Sequence, residues 1–347
     1  MSDTDAELDI ELELQLTRYL QTSGWLAPEE SLRRFRVLAG GVSNKTVLAG
    51  IPGDGDWVIK QCLSRLRVRV DWFTSPERIH REAEALRVLP ALLGEDVTPR
   101  LIFEDRSHHI LAMTAVPQPH ENWKQRLLAG HLQPDHVRQF GHILASLHSR
   151  SAERIAEYEP AFADRRFYES LRLEAYYQFA GQTTPESAPF YARLIDETRA
   201  QHRSLVHGDY SPKNVLIREG RLILLDHEVM HIGDPAFDIG FAMTHLLSKA
   251  HHLPALRQQF LEAAASFWNT YLQDSSPQIS ASEGFAGRAA RHIAACLLAR
   301  VDGRSPLEYL STAERDRQRA MALSLMRSQP SDPHGLITAV ATVLGEN

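Results

Sequence analysis

Between residues 35 and 116 the apolar positions fall in short runs broken by turn residues, and beyond about Gln125 they recur at helical spacing. The early runs are FRVLAG, GVSNKTVLAG and, after a PGDGD turn, WVIKQCL, which read as strands joined by tight turns. Residues 77–93, ERIHREAEALRVLPALL, are helical by composition, with Pro90 expected to end or kink the segment. PRLIFED and HHILAMTAV read as two further strands. Helix periodicity then covers 134–149, 165–180, 189–202, 238–250, 254–273, 284–300 and 312–328. Only NVLI and RLILLD, separated by the turn around Glu219-Gly220, interrupt it, and they read as a β-hairpin. Ahead of all this, residues 6–22 alternate acidic and apolar positions as a short amphipathic helix, interrupted at Trp25 and Pro28. There is no internal repeat and no low-complexity segment.

The predicted architecture is α+β and bilobal. A helical appendage occupies residues 1–30. A nucleotide-binding lobe of antiparallel strands with one helix covers 31–116, and a larger, mainly helical lobe covers 117–347, reached through a crossover near Met113 to Pro119.

Composition narrows the class. The chain has 347 residues, 43% hydrophobic and 24% charged, enough for a full core. A net charge of −6 with scattered basic residues gives no nucleic-acid footprint. Cys62 and Cys296 stand far apart without a CxxC pattern, so neither a disulfide framework nor a structural zinc site is expected, and a reducing cytoplasm fits. The acidic N-terminus lacks a basic region before an apolar core, and no run reaches the length of a membrane span, so neither export nor insertion is expected.

Against that layout the stretch LVHGDYSPKNVLI, residues 205–217, carries the chemistry. The hairpin brings Asn214, at the start of one strand, and Asp226, at the end of its partner, to the same end, with Asp209 on the loop just before. Such an oxygen-rich cluster suits Mg²⁺. Asp209 precedes Asn214 by five positions, which resembles the catalytic loop of protein kinases. That likeness assigns the acceptor proton to Asp209 and metal binding to Asn214 and Asp226. WVIK ends a strand at Lys60, as the phosphate-gripping lysine does in kinases, and Glu82 is the preferred helix partner, with Glu84 as the alternative about 200° further round. The turn LAGGVSNKTV offers backbone N–H groups to phosphate: Gly40 and Gly41 permit close approach, and Ser43 or Asn44 adds a side-chain donor.

HGD at 207–209, Asn214, LLDHE at 224–228 and GDPAFDIG at 233–240 resemble the aminoglycoside phosphotransferase and choline kinase superfamily over roughly residues 35–310. Within it, VIKQCLSRLRVRV ahead of Trp72, the REAEAL helix and FYESLRLEAYY are similar to segments of methylthioribose kinases. The chain departs from those kinases where they tend to lack an Asn at the place of Asn214, and where they carry paired arginines at the place of Ala299-Arg300. The resemblance implies a protein-kinase-like fold, ATP and Mg²⁺ as cofactors, and transfer to a hydroxyl of a small molecule. It leaves that molecule open.

Other positions follow. Met113 with Thr114-Ala115-Val116 resembles the hinge that binds adenine through backbone groups, so Met113 and Ala115 join the nucleotide set. Glu228 is either a metal ligand or a supporting group, and Lys213 either touches the transferred phosphate or faces solvent. Asp238 is expected to cap the helix after it and brace the catalytic loop, and His207 to shape that loop. Only about a dozen residues separate Asp226 from that helix, too few for the peptide platform of a protein kinase. Retention of the charged set argues against a silent binding module.

Around the late helical segment, Arg288, Arg291, Arg300 and Arg304 face only Asp302, with Arg288, His292 and Arg300 near one side, unless they are solvated or pair with the acidic N-terminal helix. This disfavours a polycationic acceptor such as an aminoglycoside. It favours a neutral or anionic sugar-like one, with Arg300 as the candidate contact. The oligomeric state is left open, a dimer included.

Overall fold

The structure is a computed structural model that describes residues 8–38, 43–67 and 73–345. The small lobe is a five-stranded antiparallel sheet: β1 (Arg34–Val37), β2 (Asn44–Ile51), β3 (Gly55–Cys62), β4 (Leu101–Asp105) and β5 (Ile110–Thr114), in the order β1-β2-β3-β5-β4. The PGDGD turn closes the β2–β3 hairpin with Ile51 opposite Gly55, and this register places Lys60 opposite Thr46 and Leu111. Period-2 alternation buries Trp57 and Ile59 on one face and leaves Val58 and Lys60 on the other.

The N-terminal helix α1 (Glu13–Thr22) is no appendage. Leu16 and Leu20 are fully buried in the cluster formed by Val47, Ala49, Trp57 and Phe103, each contributing about 1.5–3 kcal/mol. Tyr19 donates to Asp105 at 2.7 Å, and Trp25 stacks on Phe103 with centroids 4.7 Å apart. Glu13, the one acidic residue of α1, is exposed, as are Leu12 and Leu14 beside it, and the helix covers the sheet through Leu16, Tyr19 and Leu20.

Helix α2 (Arg78–Leu93) lies against the opposite face through Ile79, Ala83 and Leu86. Pro90 does not end it: the helix runs three residues further, and Gly94 donates back to the Pro90 carbonyl. So close to the C-terminus, proline removes one bond and interrupts nothing beyond it.

The large lobe is organised around the helices Pro134–Glu153, Pro235–His252, Arg257–Asp274 and Phe285–Asp302. Gly240 lets two of them close up, since a Cβ there would sit 2.3 Å from that of His292. Thr312–Ser328 matches its predicted span, with a Ser311–Glu314 capping box at its start. The segment expected as one helix over 165–180 is instead a short α-turn followed by a π-helix, Glu169–Gln178. The lobe also holds helices at Trp123–Leu128, Ile155–Phe162, Ala188–Arg199 and Pro333–Gly345 and short strands at Ser204–Val206 and His231–Gly233. Among the described residues no helix is long and apolar enough to cross a membrane, and Cys62 and Cys296 are both buried free thiols.

Candidate active site

The strand Ser204–Val206 delivers the chain into the loop His207–Asn214, and the hairpin Val215–Arg218/Arg221–Leu224 carries it back, with Val215 opposite Leu224. Asn214 and Asp226 therefore flank the same end of the hairpin. Behind the loop, fully buried Asp238 accepts from the backbone N–H of His207 at 2.7 Å and of Gly208 at 2.9 Å, and lies 3.2 Å from His148 Nε2. Asp238 thus fixes the loop from below. The cap of the following helix is Asp234, whose side chain accepts from Ala236, so the capping expected of Asp238 belongs four residues earlier. Gly208 adopts φ 75°, and a Cβ there would meet the Val229 side chain at 3.0 Å and its carbonyl at 3.1 Å. The middle residue of HGD is glycine for both reasons.

Asp209 is 4% exposed. Its Oδ2 accepts from Asn214 Nδ2 at 2.7 Å and lies 3.2 Å from both Arg172 and Lys213. Burial works against its charge, but the neighbouring Arg172 and Lys213 outweigh it, with the Asn214 bond, and hold the carboxyl below the usual carboxylate range. It is an ionised, oriented acceptor, and a weak base. His207 receives the Asp209 N–H on Nδ1 at 3.2 Å, and burial lowers its basicity, so it serves the loop as a neutral ring.

Across the cleft, Lys60 Nζ sits 2.7 and 3.0 Å from the two oxygens of Glu82 and 3.9 Å from Asp226 Oδ1. Glu84 points elsewhere, to Arg87 at 2.7 Å. Burial pushes the Glu82 carboxyl up against the pull of Lys60. The Lys60 ammonium loses to burial and gains more from Glu82 and Asp226, so it stays charged. Asp226 occupies the left-handed region at φ 66°, an uncommon conformation for a residue with a Cβ, and its Oδ1 is buried without a hydrogen-bond partner. A strained backbone and a carboxylate oxygen that accepts no hydrogen bond, next to cleft-lining Leu225, leave a ligand atom for a cation.

That cleft holds about 1120 Å³ between the lobes, lined among others by Leu38, Val58, Lys60, Met113, Ala115 and Leu225. Its lining combines these apolar side chains with charged ones, Lys60, Arg34, Arg36 and Asp56 among them. The N–H of Ala115 is engaged by the Asp56 carbonyl at 2.9 Å, so of the hinge groups expected there it has its own carbonyl to offer and not its N–H. Asn44 Nδ2 reaches Glu228 Oε2 at 3.3 Å, the same oxygen that Arg78 Nε meets at 3.1 Å, while Asn44 Oδ1 is buried and unpaired. Ser43 offers its carbonyl to Arg78. Gly40 and Gly41 lie outside the described residues.

The late helix distributes its arginines differently from the expectation. Arg288 is held by Asp234 at 2.8 Å and Arg291 by Glu197 at 2.7 Å, Asp302 is taken by Arg319, and none of these pairs involves the N-terminal helix. His292 bonds Tyr177 and Thr198 inside the core. Arg300 alone of the proposed trio turns toward the site, donating to Tyr176 at 3.0 Å and to Ser305. The sequence reading missed Arg172, which donates to the Gly208 carbonyl at 2.6 Å and stacks over Tyr176. A lone arginine inside an apparently ordinary helix carries no signal. The π-helix that projects it has none either.

The model of the phosphotransferase enzyme family matches residues 34–273. The methylthioribose kinase of Yersinia pseudotuberculosis is 23% identical over 278 residues, 68% of each chain. Among solved structures, a choline/ethanolamine kinase family protein from Mesorhizobium loti superposes with TM-score 0.54 at 14% identity, covering 94% of this chain and 98% of its own. The GDP complex of an aminoglycoside 2′-phosphotransferase does so with TM-score 0.53 at 14% identity, covering 92% and 97%. These neighbours share the bilobal, protein-kinase-like fold. With a family model spanning both lobes and the HGD loop, the chain belongs to the phosphotransferase enzyme family and is a small-molecule phosphotransferase.

Proposed function

We propose that this phosphotransferase moves the γ-phosphoryl group of ATP to a hydroxyl of a neutral or anionic, sugar-like metabolite. One observation carries the reading: Lys60, which lines the cleft between the lobes, pairs with Glu82 and lies 3.9 Å from Asp226, and the adjoining loop bonds Asp209 to Asn214. In this reading the purine lies against Met113 and Ala115, and Lys60 grips phosphate oxygens. Asp226, with its unpaired Oδ1, and Asn214, whose amide nitrogen is already given to Asp209, would hold Mg²⁺, which needs only one or two protein ligands beside water and phosphate. The ion would neutralise charge on the phosphates and align them. Glu228 acts as support through Arg78 and Asn44. Asp209 orients the acceptor hydroxyl and takes its proton late in the transfer, when the oxygen has become acidic enough for so weak a base. Lys213, beside Asp209, is placed to meet the phosphoryl group in flight. The methylthioribose kinases among its relatives support a sugar-like acceptor without fixing which one.

The test is Asp209→Asn assayed with an acceptor found by ADP release. Turnover is expected to fall about 10²–10⁴-fold while ATP still binds. Near-normal turnover would remove Asp209 from the mechanism.

A further inference from the structure

Beyond the nucleotide cleft, on the acceptor side of Asp209, lies a cluster of donors with too few acceptors. Lys249, on the helix Pro235–His252, is fully buried, and its Nζ donates only to the carbonyl of His245, one turn back, at 3.1 Å. No carboxylate lies within ion-pair distance of it among the described residues. The same ammonium stands 5.5 Å from the centre of the Tyr309 ring, whose hydroxyl is buried and unpaired. Arg300, from the helix Phe285–Asp302, faces both and has a buried, unpaired Nε. A buried donor left unmade costs about 1–3 kcal/mol, and more for a charged group, so the Tyr309 hydroxyl and Arg300 Nε without partners, beside an ammonium with a single carbonyl to donate to, mark a place short of acceptors.

The cluster is joined to the catalytic loop. Arg300 bonds the Tyr176 hydroxyl, Arg172 stands 5.4 Å from the centre of that ring, and Arg172 holds Asp209. His245, one turn from Lys249, feels Asp209 and Lys213 as well as Arg300 and Lys249. The carboxylate acting on Lys249 is Glu308, 65% exposed on its side chain, which pairs with Lys124 across residues 303–311 and lies in the field of Arg300. Glu308 shows the chemistry this face accepts.

Resting on the kinase reading above, we infer that the acceptor carries an anionic oxygen group, carboxylate or phosphate ester, which seats between Lys249, Arg300 and the Tyr309 hydroxyl beneath residues 303–311 while its hydroxyl meets Asp209. The anion displaces Glu308 from Lys124 as it enters. It supplies acceptors to the Tyr309 hydroxyl and Arg300 Nε and a counter-charge to Lys249. Burial, then Lys124 and Arg300, push the Lys249 ammonium down to about 7, with Glu308 opposing, so an arriving anion also draws a proton onto Lys249.

The experiment uses matched pairs offered to the full chain with Mg²⁺ and ATP: gluconate against sorbitol, glycerate and glycerol 3-phosphate against glycerol, ribose 5-phosphate against ribose. Binding is followed by calorimetry and transfer by ADP release, and the carboxylate and phosphate arms distinguish the two anion types. At least one anionic member is expected to bind about 10–100-fold more tightly than its neutral partner. It should take up close to one proton near pH 8, and both effects should be lost in Lys249→Met and weakened in Arg300→Gln. Nucleotide affinity of the variants reports their folding. Equal binding within every pair, or no anionic member binding at millimolar concentration, overturns the anion seat, and transfer to neutral members would then leave the kinase reading standing. Lys249-dependent anion binding with no ADP release from any pair keeps the seat and overturns the kinase reading instead.

Discussion

Lys249→Met should stabilise the protein, and by an amount that depends on pH. The perturbation replaces a fully buried ammonium that has no carboxylate partner among the described residues with an apolar side chain of similar length. Lowering the lysine from 10.5 to about 7 in the folded state places a penalty of about 5 kcal/mol on the charged form. The sign follows from proton counting. Between about pH 7 and pH 10 the unfolded chain binds more protons at this position than the folded one, so the burden on the wild type is full below the folded value and fades as pH rises toward the unfolded one. At about pH 6 nearly the whole penalty applies, whereas at about pH 9 about 2 kcal/mol remains. Urea unfolding of both proteins at the two pH values, with the slope of the transition compared as a check on the denatured state, measures the difference directly. The variant is expected to gain up to about 5 kcal/mol at the lower pH, and about 3 kcal/mol less than that at the higher one. A variant less stable than the wild type at both, or equally more stable at both, would refute the assignment of Lys249 as an unpaired buried cation. A gain accompanied by loss of acceptor binding would identify the lysine as kept for the ligand at the expense of the fold.

Further predictions concern the catalytic end. Glu82→Ala leaves Lys60 buried beside Asp226 and should lower stability by about 3–5 kcal/mol, with a parallel loss of turnover, whereas Glu84→Ala removes a half-exposed pair worth about 0.3–0.5 kcal/mol; unfolding midpoints and turnover should rank the two in that order. Arg172→Met removes the strongest influence holding Asp209 ionised, so the acid limb of the pH–rate profile should move upward toward the ordinary carboxylate range; an unmoved limb would show that Arg172 acts only on the fold. Because Asp209 is depressed in the folded state, the stability it contributes is present at neutral pH and is lost as pH falls below the ordinary carboxylate value; Arg172→Met should flatten that acid loss in a pH series of unfolding curves. Gly208→Ala adds both a strained φ and a clash with Val229, and is expected to reduce turnover by more than nucleotide affinity, read by comparing kcat with ATP binding.

Much of this arrangement was legible because it depends on local order along the chain. Alternation located the five strands of the small lobe, turn residues joined them, and the paired runs around Glu219-Gly220 put Asn214 and Asp226 at one end of a hairpin. The choice between Glu82 and Glu84 was not legible, because both sit on the same helix and only the direction of α2 relative to β3 decides which meets Lys60. The acidic and apolar alternation over residues 6–22 suggested a helix standing apart, since an amphipathic stripe does not say what it covers; Leu16 and Leu20 turn out to complete the core behind β2 and β3. The late arginines looked equivalent in sequence and are not. Arg288 and Arg291 find carboxylates on other elements, 54 and 94 positions away, and Arg300 finds a tyrosine and a loop. Lys249 gave no signal, for a lysine near the end of a helix is ordinarily a solvated one.

The way α2 is fastened bears on control. Arg78, fully buried, ties its first turn to Glu228 and to the carbonyls of Ser43 and Leu63, and Arg81 ties it to the Met230 carbonyl at 3.1 Å, under the rings of Phe162 and Phe167. Swinging the helix away from Lys60 would strand two guanidinium groups in an apolar interior. In protein kinases that swing is the switch thrown by phosphorylation or a partner. Here those ties hold α2 where Glu82 meets Lys60. A helix fastened in this way has little room to act as a switch, and a screen for activating modifications on α2 should come back empty.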